Sequence, residues 1–465
     1  MTSIAAGSYP TGSGQTLLNL VASPADGSSQ TDYDFWLGGD GTTNNDPTYT
    51  VVDGRAGLSD SYVKAKNSTD FIRQIGYYES PYTFAAFYRT STYSNQDSNA
   101  PIFTAGSDGS VGQSCVRLYS GLDNIGADGR YCRLFLDTTN TLVLDFNSLE
   151  PIEENTNQGL ILSATNGGRG FIIRNGLVQQ FCADKRSLSW ANTNNQTPRF
   201  EVFGKEHDNQ RGKGTLHRFE AYNEALTFTN CRALYNAHQT RFSLPAIPAT
   251  VDTDSDSANV RILLDLDGDA LDRSGSNNHF SEFGSPFNNT YGVGTMDGLN
   301  NESTYYQKSG VNDYLELPST TLCNVEDFTL DFDMLYESST FSDDYIFSTA
   351  SYSIRVDYVR LLWHGQQLVA YNTNFKQDYW NRIRIQRVGT RVCVWVNNYL
   401  EYDNTIATAS IGAASVVRIG GEYNGSTALR GNVLGLKNMR FTLGTRTSMG
   451  ATYAQQSVLT PYPTP

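Results

Sequence analysis

No stretch of the sequence approaches the roughly 18 uninterrupted apolar residues that a membrane-spanning helix requires. The amino terminus, MTSIAAGSYPTGSGQTLLNL, also lacks the basic segment followed by an apolar run that marks an export signal. The expectation is a product folded in a cytoplasm, without a signal peptide and without membrane insertion. Charge is scarce, at 18% of residues, and leans to one sign: 34 Lys and Arg against 48 Asp and Glu give a net charge of -14. With no basic run to offset it, that balance repels a polyanion and excludes nucleic acid as an expected partner. The six cysteines (Cys115, Cys132, Cys182, Cys231, Cys323, Cys393) form no C-x-x-C pair, which argues against a structural zinc and for reduced, packed thiols. The five histidines (His207, His217, His238, His279, His364) show no i, i+4 pairing. There is no G-x-S-x-G, H-E-x-x-H or G-x-x-x-x-G-K-[ST], so the usual nucleophilic, zinc-hydrolytic and phosphate-cradling signatures are missing.

What is present favours pleated sheet. Gly (41), Tyr (28) and Phe (23) are abundant, a mixture suited to turns and half-buried sheet surfaces. At 465 residues the chain is too long for one ordinary core, and two domains are expected. Periodicity is lost around RFSLPAIPATVDTDSDSANV, which places a linker at 244–257 between domains at 31–243 and 258–446. The Gly/Ser-rich residues 1–30 read as an N-terminal arm, and residues 447–465, ending SVLTPYPTP, as a Pro-containing tail. Both halves repeat an order of elements. PYTFAAFYRT (81–90), RGFIIRNGLVQQF (169–181) and GTLHRFEAYNEALTF in the first are matched by EDFTLDFDMLY (326–336), NRIRIQRVGTRVCVWVNNYLEYD (381–403) and VLGLKNMRFTLG (433–444) in the second. Phe328, Leu330, Phe332 and Met334 alternate with Thr329, Asp331 and Asp333, the pattern of a strand with one apolar and one solvent-facing side. Asn175-Gly176, Gly389-Thr390 and Asn397-Asn398 supply hairpin turns. Thr227 caps a helix in which Phe228, Cys231, Leu234 and Tyr235 recur at helical spacing. The fold class expected is all-β, two tandem antiparallel β-sandwiches of jelly-roll type.

The second half carries a family resemblance in D-x-SG-x-x-N, FTLDFDM and the stretch with Trp380, Ile383, Ile385, Val392, Val394, Val396, Asn397 and Asn398, followed by RIGGEYNGSTALRGNVLGLKNMRF (418–441). In that order the motifs resemble laminin-G-like, concanavalin A-like jelly rolls. The first half is similar to the version found in virion structural proteins of tailed bacteriophages (capsid decoration, knob or fibre proteins). The likeness lies in DFWLGGDGTTNNDPTYT (34–50), AGLSDSYV (56–63) and RFEAYNEALTFTNCRALYNAH (218–238). It departs where the phage version continues into an aromatic YW-x-F-D-G segment and this chain has YVKAKNSTDF.

Three candidate sites follow from the residues. LLDLDGDALDRSGSNNHF (263–280) gathers Asp265, Asp267, Asp269 and Asp272. As an EF-hand it fails, because Gly268 falls at position 4 and Ser276 at position 12. Two readings stand: calcium held by these four residues in another geometry, or a polar turn leaving a buried strand. Asp331 and Asp333, with Glu337 beyond, are the nearest approach to the carboxylate row of a laminarinase-type hydrolase, but the first carboxylate is missing. A solvated strand face is the plainer reading. Lastly, SDSY, STYSNQ, NNTYG and GEYNGS set Tyr beside Asn, Ser and Gly in loops, a composition suited to sugar stacking or protein contact.

The resemblance implies a non-enzymatic virion structural protein, made in the host cytoplasm and displayed on the virion surface, on capsid or tail. Its implied partners are other virion proteins, further copies of itself in a homo-oligomer, and host surface polysaccharide bound weakly. A calcium-dependent lectin and a glycoside hydrolase or lyase on the same scaffold are the alternatives. Fold alone does not choose among them.

Overall fold

The computed structural model describes the strands and helix given below, the segments 154–165, 169–182 and 224–247, and residues 258–447 other than 309–311, 321, 324, 326, 338–343, 358–359, 364–365, 371–378, 398, 407–413 and 424–432. The chain is all-β, divided into two compact units at Ile247/Pro248. Among the described residues no helix is long and apolar enough to cross a membrane.

In the first unit one sheet runs in the order Leu177–Cys182 (β13), Gly170–Arg174 (β12), Asn157–Ala164 (β11), Tyr82–Thr90 (β6), Gly214–Tyr222 (β17), Arg55–Ser59 (β4) and Thr48–Val52 (β3), with Thr16–Val21 (β1) also on β17. The other runs Thr141–Asn147 (β10), Arg130–Thr138 (β9), Cys115–Leu122 (β8), Pro101–Gly106 (β7), Arg199–Val202 (β14), Tyr62–Ala65 (β5) and Phe35–Gly38 (β2). A small hairpin pairs Gly204–Lys205 (β15) with Gln210–Arg211 (β16).

The second unit repeats the order of the two large sheets strand for strand. Its first sheet is Tyr399–Thr405 (β30), Arg391–Val396 (β29), Trp380–Val388 (β28), Phe328–Glu337 (β23), Val433–Leu443 (β32), Gly298–Lys308 (β21) and Phe287–Thr295 (β20), with Val260–Leu264 (β18) on β32. Its second is Gln366–Ala370 (β27), Arg360–Trp363 (β26), Ser353–Asp357 (β25), Asp344–Ser348 (β24), Ser415–Ile419 (β31), Tyr314–Thr320 (β22) and Ser281–Phe283 (β19). The described pairings are antiparallel. The segment that the sequence assigns to an N-terminal arm thus supplies β1, and residues 244–247 of the expected linker are held by the first unit, where the Pro245 carbonyl accepts the Tyr235 hydroxyl at 2.7 Å.

Local chemistry explains the turns. Asn175 and Gly176 have φ of 50° and 78°, both positive as the β12–β13 hairpin demands, and Gly389 (56°) and Asn397 (49°) serve the next two hairpins; Asn398 lies outside the described residues. The helix Phe228–Phe242 (α1) is capped by the Thr227 side chain, which accepts the Asn230 amide at 3.2 Å, and ends on Ser243 in the left-handed region. It buries Phe228, Cys231, Leu234, Tyr235, His238 and Phe242. Gly159 on β11 lets it approach closely: a Cβ there would stand 2.7 Å from the Tyr235 ring.

In the second unit the apolar side of β23 and β32 meets the opposite sheet in an aromatic stack. The Phe328 ring lies 5.2 Å from Tyr352 and 5.8 Å from Trp363, and Phe347 lies 6.0 Å from Phe441. The other side of β23 overturns the expectation of a wet face. Thr329, Asp331 and Asp333 are each 0% exposed. The cause is cross-strand register, which sets Asp331 opposite Arg384 and Arg440, and Asp333 opposite Arg382 and Lys437. Arg382 grips both oxygens of Asp333 at 2.8 and 2.7 Å, and the Asn438 amide adds a bond at 2.7 Å. Asp331 receives Arg384 at 2.5 Å and Arg446 at 2.7 Å.

Arg446 belongs to the segment after β32, which folds back over this face. Gln386 accepts the Arg446 amide at 2.8 Å and donates to the Thr447 carbonyl at 2.7 Å, and Arg384 donates to the Thr447 hydroxyl at 2.6 Å. The same device appears in the first unit. Thr83 on β6 donates to the Glu224 carbonyl at 2.7 Å, just past β17, as Thr329 on β23 donates to the Gly444 carbonyl at 2.8 Å, just past β32.

Burial, the largest influence on Asp331, pushes its pKa up, but the charges and hydrogen bonds of Arg384 and Arg446 outweigh it and bring it from the usual 3.8 to about 2. A depressed folded-state value means stabilisation that is complete above the unfolded-state value and lost as pH falls through the window between 3.8 and about 2. Asp331→Asn should therefore cost about 3–5 kcal/mol near neutral pH, because two guanidiniums lose their buried counterion. It should also flatten the loss of stability below pH about 4. Urea unfolding of the wild type and the variant at neutral and acid pH measures both.

Candidate functional site

The acidic run leaves β18 as a compact polar turn. Asp272, 5% exposed, works as a surrogate for backbone. Its Oδ1 accepts the amides of Leu263 and Ser274 at 2.9 Å each, and its Oδ2 accepts the Ser274 hydroxyl and the Asn278 amide at 2.8 Å each. Asp265 and Asp269 share one cation: Arg273 meets Asp265 at 2.5 Å and Asp269 at 3.0 Å. Asp267 turns instead to β21 and β32, accepting the Thr304 hydroxyl at 2.8 Å and Lys437 at 3.2 Å. Burial raises the pKa of Asp267, yet Thr304 and Lys437 together hold it below the ordinary carboxylate value. Leu266 reaches into the core between them with φ of 55°, a conformation uncommon for leucine that its complete burial maintains.

The structure thus joins Asp265 with Asp269 but sends Asp267 and Asp272 to separate partners. Among the described residues no group of three or more His, Cys, Asp or Glu side chains could hold a metal ion. Calcium at these positions would compete with Arg273 and Lys437 for the same oxygens.

Asp331 and Asp333, the carboxylates closest to a hydrolase pattern, are fully buried and bound to arginines, Asp331 also to Arg446 of the segment that follows β32. General acid or base chemistry needs a carboxyl that substrate or water can reach, and this pair offers none. The sequence did not single out the counterpart in the first unit. Glu220 is fully buried and bonded to Arg218, Tyr222 and His238 Nε2, the last at 3.1 Å. Burial raises its pKa, but His238, Arg218 and Tyr222 bring it down to about 2. His217 stacks on Phe242, ring centroids 5.4 Å apart, and its Nε2 meets Asn157 at 3.3 Å. Both histidines are packing residues, His217 on β17 beneath α1 and His238 on the buried side of α1 itself. Cys231, Cys323 and Cys393 are buried thiols.

Accessible recognition chemistry gathers at one margin of the second unit's second sheet. Phe283 on β19 is 38% exposed and stacks on Tyr314 of β22, centroids 4.6 Å apart and planes 10° from parallel. Arg418 of β31 lies over the Tyr314 ring, 4.7 Å from its centroid, fixed by Glu316 at 2.7 Å and by the Glu422 carbonyl at 2.7 Å. Tyr423, in the GEYNGS loop, is 37% exposed one residue further on. Register alone creates this cluster, since Phe283 pairs with Tyr314 and Glu316 with Arg418. The side chains of Tyr62, Tyr93 and Tyr291, from the other tyrosine-bearing segments, lie outside those described.

No family model matches the chain, and no curated protein matches it. Solved structures resemble it distantly. Domain 4 of AbnA, a GH43 extracellular arabinanase from Geobacillus stearothermophilus, in complex with arabinotriose, is 12% identical over 48% of this chain and 98% of its own, with a TM-score of 0.32. The CBM40 of the Ruminococcus gnavus IT-sialidase is 14% identical over 34% of this chain and 84% of its own, TM-score 0.23. The binding domain of botulinum neurotoxin DC, in complex with rat synaptotagmin II, is 11% identical over 90% of this chain and 98% of its own, TM-score 0.30. These likenesses are distant, and they identify no site residue of this chain.

Proposed function

We propose that this chain is a non-enzymatic structural protein of a tailed-phage particle, displayed on the capsid or tail surface as a decoration and adhesion module. Its partners in this reading are other virion proteins, further copies of itself, and host surface polysaccharide held weakly. The observation that carries the reading is that one sandwich plan occurs twice, and that in the second copy the carboxylates nearest to a catalytic pattern, Asp331 and Asp333, are spent on buried arginines. A repeated scaffold whose Asp331 and Asp333 are committed to its own arginines suits display, and the motif resemblance of residues 34–50, 56–63 and 218–238 supplies the phage context. The exposed margin of Phe283, Tyr314, Arg418 and Tyr423 suits weak contact with sugar rings and hydroxyls. Many copies on one particle would multiply such contacts into useful avidity.

The reading expects the chain to sediment with purified particles and to release no reducing ends from a panel of host polysaccharides. Recovery only in the soluble fraction, or glycan cleavage that Asp331→Asn abolishes, would count against it. Calcium separates it from the lectin alternative. With Asp265 and Asp269 already paired with Arg273, and Asp267 with Lys437, millimolar calcium or chelator should leave the melting temperature unchanged, whereas a calcium-dependent rise reversed by chelator would favour the lectin.

A further inference from the structure

A lysine and an aspartate face each other across the two layers of the second unit. Lys308 ends β21 in one sheet and Asp344 begins β24 in the other; their side chains are 2% and 0% exposed, and Nζ lies 4.0 Å from Oδ1. Lys308 donates to the carbonyl of Gly420, a residue with φ of +76° whose absent Cβ would sit 1.7 Å from the Tyr306 hydroxyl. Tyr306 in turn donates to the Asp313 carbonyl at 2.8 Å, and the Asp313 carboxylate, 8% exposed, accepts the Ser285 amide at 3.0 Å. The pair is thus walled in by a tyrosine, a tight glycine turn and a second carboxylate.

As an ion pair this arrangement is poor. Both charges are stripped of water, yet they stand more than an ångström further apart than Arg382 and Asp333, which meet at 2.7 Å. Burial disfavours the charged form of either partner. For Lys308 burial dominates, lowering the pKa to about 8 although Asp344 and Asp313 pull it the other way. Proton transfer from the ammonium to the carboxylate leaves a neutral amine beside a neutral carboxylic acid. Held together with water excluded, these are the two reactants of amide condensation, already in place.

We propose that Lys308 and Asp344 condense to an isopeptide bond that ties the two sheets of the second unit together. The lone pair of Nζ adds to Cγ of Asp344, forming the N–C bond. The Cγ–OH bond then breaks, and the hydroxyl leaves as water with one proton from the nitrogen. Amine and acid become amide and water, with no change of oxidation state and no co-reactant. The product closes the chain between 308 and 344, so the layers cannot separate without breaking a covalent bond. That constraint is of use to a sandwich displayed in the open, but the inference does not depend on where the chain is displayed.

Intact mass spectrometry of the folded, full-length chain, incubated in mildly alkaline buffer, tests it. The expected mass is about 18 Da below that of the sequence, and digestion should give a branched peptide joining the segments that contain Lys308 and Asp344. Lys308→Arg or Asp344→Ala should restore the full mass and lower the melting temperature. The wild type alone decides the matter if either variant fails to fold. An unchanged mass, or a loss of water mapped to another position such as an Asp-Gly step, would overturn the proposal.

Discussion

A sheet face closed to water must balance each charge it carries, and the second unit is organised around that requirement. Asp331 and Asp333 stand on the central strand of its first sheet, fully buried, with guanidiniums from β28 and from the segment after β32 on their oxygens. Removing one partner would leave its opposite number buried and uncompensated, so strand register and the path of residues 444–447 are bound to one another. The first unit meets the same requirement with different parts. There α1 covers the face, and Glu220 is neutralised by Arg218 beside His238. In each unit the chain that follows the last strand of this sheet turns back to cover it, and a threonine on the central strand holds the turn. The repeat therefore extends past strand order to the way the outer face is closed.

This closure separates what was legible in the sequence from what was not. Asn175-Gly176 and Gly389 announce hairpins because few residues accept positive φ, and the Thr227 cap with its helical spacing announces α1. The alternation of Phe328, Leu330, Phe332 and Met334 marks the apolar side of β23 correctly. Its polar side is misread as solvent-facing, because a period of two distinguishes the faces of a strand without saying whether the polar one meets water or arginine. The answer lay in Arg382, Arg384 and Arg446, which lie far along the chain and join Asp331 and Asp333 only through pairing of distant strands. The acidic run was ambiguous for a similar reason. Asp272 finds its partners within a few residues, as a polar turn would, but Asp267 depends on Lys437 and Thr304. The Phe283, Tyr314 and Arg418 cluster had no local signal at all, being made by three strands that are neighbours only in the sheet.

The functional reading follows from where accessible chemistry remains. Charge in the interior is committed to architecture, and the described exposed aromatics, Phe283 and Tyr423, sit at a sheet margin and in a loop. A protein built this way has its surface edges and loops available for recognition, while its sheet interiors supply rigidity.

The claim at the centre of this account is that buried charge compensation fixes the outer face of the second unit's first sheet. A double-mutant cycle on Asp331 and Arg384, read by equilibrium urea unfolding of Asp331→Asn, Arg384→Met and the double variant, measures it directly. The account predicts that the double variant loses clearly less stability than the sum of the single losses, by about 1–3 kcal/mol, since the second substitution removes a charge that the first has orphaned. Strict additivity, with each single loss below about 1 kcal/mol as for a solvated pair, would contradict it.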